Sequence, residues 1–97
     1  MAGERLYIVA YDVGDPKRWR RVFRLMKGYG RWLQLSVFQC RLTARRRAEL
    51  GAALDRLVKR DEDHVIIVDV GAADAVELRI ESLGRPFEAP RRQAMIV

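Results

Sequence analysis

The 97-residue chain has one cysteine, Cys40, one histidine, His64, and three prolines. A lone cysteine excludes an intrachain disulfide and fits a reducing compartment. A lone histidine leaves no zinc-type spacing and no partner for Ser36 in a nucleophilic pair. No apolar run approaches the roughly 20 residues of a membrane-spanning helix. No phosphate-binding glycine loop and no dinucleotide fingerprint occur. Residues 1–5 lack the layout of a signal peptide, so the expected location is the cytoplasm, with no membrane partner. No linker, repeat or low-complexity tract interrupts the chain. The most local absence is of acid: positions 16–48 hold no Asp or Glu, yet carry eleven Lys or Arg.

The formal net charge is +6 and the hydrophobic share 49%. The second figure argues for a folded core, and the first favours a polyanionic partner. The length suits a single domain over residues 1–97.

Leu6 to Tyr11 reads as a first strand. Asp15 and Pro16 form a helix start, a capping carboxylate followed by a proline at the first helical position. Trp19, Val22, Phe23 and Met26 make the apolar stripe of that helix, and Gly28 and Gly30 close it. Trp32 to Leu42 reads as one long strand, with Leu33, Leu35 and Val37 on one side. Thr43 caps a second helix with a stripe of Leu50, Ala53, Leu54, Leu57 and Val58, and with Lys59 and Arg60 in its last turn. His64 to Val70 is apolar at nearly every position, as a strand buried on both faces would be. Val76, Leu78 and Ile80 alternate with Glu77, Arg79 and Glu81 as a further strand, and Ala94 to Val97 forms a short terminal one. We assign the α+β class and the ferredoxin-like βαββαβ pattern with an added C-terminal strand. Its two helices cover one face of the sheet. The other face has no cover within the chain, so a twofold homodimer is expected.

Asp12 ends the first strand on the side of Leu6, Ile8 and Ala10. A carboxylate at a strand end facing a basic field suits a cation-assisted phosphate site, and two copies across a dimer axis with waters and phosphate oxygens would hold Mg2+. Asp beside Gly14 is also ordinary turn chemistry, and the residues alone leave both roles open. The basic set is Lys17, Arg18, Arg20, Arg21, Arg24 and Lys27 on the first helix, Arg31 after it, and Arg45, Arg46 and Arg47 opening the second. These side chains pair with phosphates by charge, and Arg does so with two hydrogen bonds. A solvated face is the plainer account. Cations at 45–47 oppose the dipole at a helix start, a cost that a binding role would explain. No base-reading pattern is visible, so binding is expected to be sequence-blind. Tyr11, Ser36 and Phe38 are supporting groups near the same strand ends. His64 reads as a strand-end histidine and Cys40 as a packing residue. Asp69 is either a second acid near the site or a paired structural group.

Residues 7–13 (Tyr-Ile-Val-Ala-Tyr-Asp-Val), the basic first helix, Gly30, residues 34–39 (Gln-Leu-Ser-Val-Phe-Gln) and residues 81–86 (Glu-Ser-Leu-Gly-Arg-Pro) together resemble the CRISPR-associated protein 2 family. The resemblance runs over nearly the whole chain. It implies a ferredoxin-like homodimer acting in CRISPR adaptation with the integrase, CRISPR-associated protein 1, as a bridge holding double-stranded spacer DNA. It also implies metal-dependent endonuclease activity on RNA or DNA, with the metal-binding aspartate at Asp12 and the second-strand serine and phenylalanine at Ser36 and Phe38. The chain departs from the family pattern at Gln39, where Glu is common, and at Leu35, where some members carry a basic residue. A non-catalytic DNA scaffold and a toxin-type ribonuclease of the same fold are the alternatives.

Overall fold

The computed structural model describes residues 3–85. Its elements run β1 (Arg5–Asp12), α1 (Pro16–Lys27), β2 (Arg31–Gln34), β3 (Val37–Leu42), α2 (Ala44–Leu57) and β4 (His64–Ala72). The four strands form one antiparallel sheet in the order β2-β3-β1-β4. Both helices lie on one side of it. This is the ferredoxin-like arrangement, with the first and third strands central.

Several expected elements are corrected. Taken one by one, they run β-α-β-α-β-β-β, which differs from the βαββαβ pattern with an added strand assigned to them. The expected long strand over 32–42 is instead a hairpin, β2 and β3, turning at Leu35 and Ser36. Leu35 makes the turn at a φ of 34°, left-handed backbone that a leucine seldom adopts. The indole N–H of Trp32 donates to the Leu35 carbonyl at 3.1 Å and fixes the turn. The expected strand over 76–81 is absent among the described residues. Its alternation is real, with Val76 and Leu78 half-buried and Glu77 and Arg79 exposed. Alternation requires only one dry side, however, and here that side rests on the bare face of the sheet. Leu78 lines one cleft with Leu6 and Arg41, and Ile80 lines another with Leu33 and Val37. The face expected to lack cover within the chain is therefore partly covered by it. The two changes together restore βαββαβ. The expected strand over 94–97 lies outside the described residues.

The helix ends follow local chemistry. The Asp15 carboxylate accepts from the Arg18 N–H at 2.9 Å, with Pro16 opening α1. Thr43 does the same for α2 through the Arg46 N–H at 3.2 Å. That helix stops at Leu57, where Val58 turns extended. Lys59 and Arg60 thus lie beyond the helix rather than in its last turn. They pair with Glu62 and Asp55 at 2.8 and 3.0 Å.

The core lies between helices and sheet. Val9, Val22, Met26, Phe38, Cys40 and Leu50 are fully buried. Phe38 is its aromatic hub, 5.6 Å from the Phe23 ring and 6.4 Å from that of Tyr11. Gly30 allows α1 to turn back over β3, since a Cβ there would collide with the Cys40 sulfur and lie 2.5 Å from the Gln39 carbonyl oxygen. Burial pushes the Cys40 thiol up to about 11, so it stays an unreactive packing group. Half of the expected two-sided burial of β4 is not met. Val65 and Ile67 pack on the core, whereas Ile66 and Val68 remain 45% and 46% exposed on the bare face.

Candidate cation and nucleic-acid site

Asp12 stands at the exposed end of β1, on the bare face, opposite His64 in the ladder. The next pair along that face is Ala10 and Ile66, then Ile8 and Val68. Among the described residues the Asp12 carboxylate has no hydrogen bond and no ion pair. A free carboxylate at the end of an apolar stripe can receive a cation. The described residues of one chain hold no group of three or more His, Cys, Asp or Glu placed to bind a metal ion. Asp12 thus fits a divalent ion only if waters, phosphate oxygens or a second copy complete its shell.

The supporting groups named with Asp12 lie elsewhere. Tyr11 and Phe38 face the helices, on the opposite side of the sheet, and Phe38 has no exposed surface. The Ser36 hydroxyl accepts the indole N–H of Trp19 at 2.8 Å, and its carbonyl accepts the Tyr11 N–H at 3.1 Å. Burial raises the pKa of the Tyr11 phenol. Ser36 is close enough to offset this in part, without a hydrogen bond of sound geometry. The structure does not bring these three side chains to Asp12. Their place is in the platform beneath it.

The basic set divides in two. Arg18 donates to Asp63 at 2.7 and 3.0 Å and to Glu62 at 3.2 Å, with Asp15 at 4.0 Å. The Asp63 carboxylate has no exposed surface and also accepts the Lys59 N–H at 2.8 Å. The hydrogen bond from Arg18 holds its pKa below the usual carboxylate range, and Asp63 in turn raises that of Arg18. Arg18 is therefore a clasp between α1 and the loop before β4. Arg46 donates to the Gly28 carbonyl at 3.0 Å and lies 4.5 Å from the Tyr29 ring centre. It serves the negative end of α1, which accounts for a cation at the start of α2 without any ligand. Arg45 pairs with Glu49 at 3.5 Å, and Arg47 lies over the Tyr7 ring. Asp69 is a paired structural group, held by Arg5 at 3.0 Å.

Lys17, Arg21 and Arg24 recur at helical spacing on the outer face of α1 and are exposed, as are Lys27 and Arg31. Among the described residues Lys17, Arg21, Arg24 and Arg31 have no carboxylate partner, and Lys27 only approaches the Phe23 ring at 5.8 Å. Arg20 is half-buried and engaged in an interaction of its own. No described helix is long and apolar enough to cross a membrane.

Fold and surface thus define a ferredoxin-like protein with a carboxylate, free among the described residues, at the end of its bare sheet face and a cationic stripe along its first helix. Residues 5–77 match the profile of the family described as CRISPR associated protein Cas2, and the chain belongs to that family. It is 56% identical over 94 residues to a protein of Rhodospirillum rubrum named CRISPR-associated endoribonuclease Cas2 1, covering 97% of this chain and 92% of that one. A protein of Geobacter sulfurreducens named CRISPR-associated endoribonuclease Cas2 is 50% identical, with coverage of 97% and 99%. A crystal structure described as Cas2 superposes with a TM-score of 0.73 at 34% identity, over 90% of this chain and 98% of that one.

Proposed function

We propose that the protein is a CRISPR-adaptation endonuclease of the endoribonuclease type, in which Asp12 holds a divalent cation, Mg2+ or another. The observation that carries this reading is the Asp12 carboxylate, free of partners among the described residues at the end of the bare face. A bound cation supplies charge to polarise a phosphodiester and to lower the pKa of an attacking water. Asp12 anchors that charge, and the platform of Tyr11, Ser36 and Phe38 keeps the strand end in place. Lys17, Arg21, Arg24, Lys27 and Arg31 draw in and orient the phosphate backbone without reading bases.

The working form is a homodimer. Ile66 and Val68 leave apolar surface on the face that ends in Asp12, and a second copy there would add a second carboxylate. Family membership supports a place beside the CRISPR integrase, bridging it to double-stranded spacer DNA, in the cytoplasm. A scaffold role without catalysis is the second reading. It is favoured by the position of the cationic stripe, which lies on the helix side and needs nothing from Asp12.

The test is cleavage of single-stranded RNA and of double-stranded DNA by purified protein, with Mg2+ and with chelator. The reading predicts cleavage that needs the cation and accelerates as pH rises, as an activated water would. Tight duplex binding with no cleavage of either substrate would leave the scaffold role alone standing.

A further inference from the structure

Asp12 is the last residue of β1 and His64 the first of β4, and the ladder sets them directly opposite each other. Opposite residues of an antiparallel pair share a face, with Cβ atoms about 4.5–5.5 Å apart. Both are exposed, and among the described residues neither has a hydrogen bond or an ion pair. The backbone leading into His64 is held firmly. The carboxylate of its predecessor Asp63 has no exposed surface and is bound by Arg18 at 2.7 Å and by the Lys59 N–H at 2.8 Å. The main chain is pinned while the imidazole is left free on the bare face.

A carboxylate and an imidazole at this spacing form a two-donor set for one divalent ion. The nitrogen changes which ion it favours. Mg2+ keeps oxygen ligands and loses water reluctantly, whereas imidazole suits transition ions, with affinity rising along the row from Mn2+ to Co2+ and beyond. We propose that His64 is a second protein ligand to the cation at Asp12, and that the site takes a transition ion such as Co2+ in preference to Mg2+. This rests on the reading of Asp12 as a cation ligand and deepens it. Water and phosphate oxygens fill the remaining positions.

The chain has one histidine, so imidazole nitrogen on a bound ion has one source. The experiment is pulsed electron paramagnetic resonance of Mn2+ added to untagged, full-length protein, compared with the His64→Ala and Asp12→Ala variants. The expected result is nitrogen modulation on bound Mn2+ in the parent protein and its loss in His64→Ala, with thermal melting unchanged. Asp12→Ala is expected to lose the bound ion itself. Bound Mn2+ that lacks nitrogen modulation but still depends on Asp12 would overturn the role of His64 and leave Asp12 standing. A parent protein that binds no Mn2+ would overturn both.

Discussion

The two sides of the sheet use the same residue types to different ends. On the helix side, the Asp63 carboxylate is covered, bound by Arg18 and a backbone N–H, and kept below its usual pKa. On the bare side, Asp12 is exposed and without a partner among the described residues. The aromatics of the helix side interlock around Phe38, while Ile66 and Val68 on the other side remain nearly half exposed. Groups that complete one another hold a fold. Groups left incomplete are available to a ligand or a second chain. The division predicts that substitutions on the two sides separate stability from function.

The largest expected contrast is in the cores of the two faces. Phe38→Ala should cost about 3–5 kcal/mol, a large part of the stability of a domain this size. Val68→Ala, on the bare face, should cost under about 1 kcal/mol in the monomer and weaken self-association instead. Urea melts and sedimentation on both variants check this, and similar losses of stability would break the contrast. Gly30→Ala comes next, at about 1–3 kcal/mol, because the new Cβ meets the Gln39 carbonyl. A thermal melt unchanged from the parent would show that the close approach is not needed.

The clasp gives a pH signature. The folded pKa of Asp63 is depressed, so its contribution is present above the unfolded value, about 3.9, and is lost as pH falls below it toward the folded one. Asp63→Asn should lower stability at neutral pH and flatten the acid limb of the stability curve. Urea titrations at several pH values will show this. The smallest effect on the fold is expected from Arg21→Glu with Arg24→Glu. Duplex affinity should fall and its log–log salt slope should become shallower by about two, with melting unaltered. Arg18→Ala should do the reverse, destabilising the protein with little change in that slope.

The features legible in the sequence were those set by neighbours. Asp15 and Pro16 announce α1, and strand alternation alone puts Asp12 on the face of Ile8 and Ala10. The hairpin at Leu35 and Ser36 was hidden because it has no Gly, Asn or Pro; tertiary contacts and the Trp32 indole hold a leucine in turn backbone. The end of α2 was overrun because Val58 continues the apolar stripe after the helix has stopped. Arg18 and Arg21 look alike in sequence, since the carboxylates that engage Arg18 are some 45 positions away. The pairing of Asp12 with His64 was likewise set by long-range register, which no local pattern carries.

The central claim is that Asp12 serves a ligand and not the fold. Asp12→Asn, assayed on one preparation for RNA cleavage with divalent cation and for urea stability, tests it most directly. The account predicts cleavage at the level of the protein-free control with a melting curve matching the parent. Undiminished cleavage, or a collapse in stability comparable to that of Phe38→Ala, would contradict it.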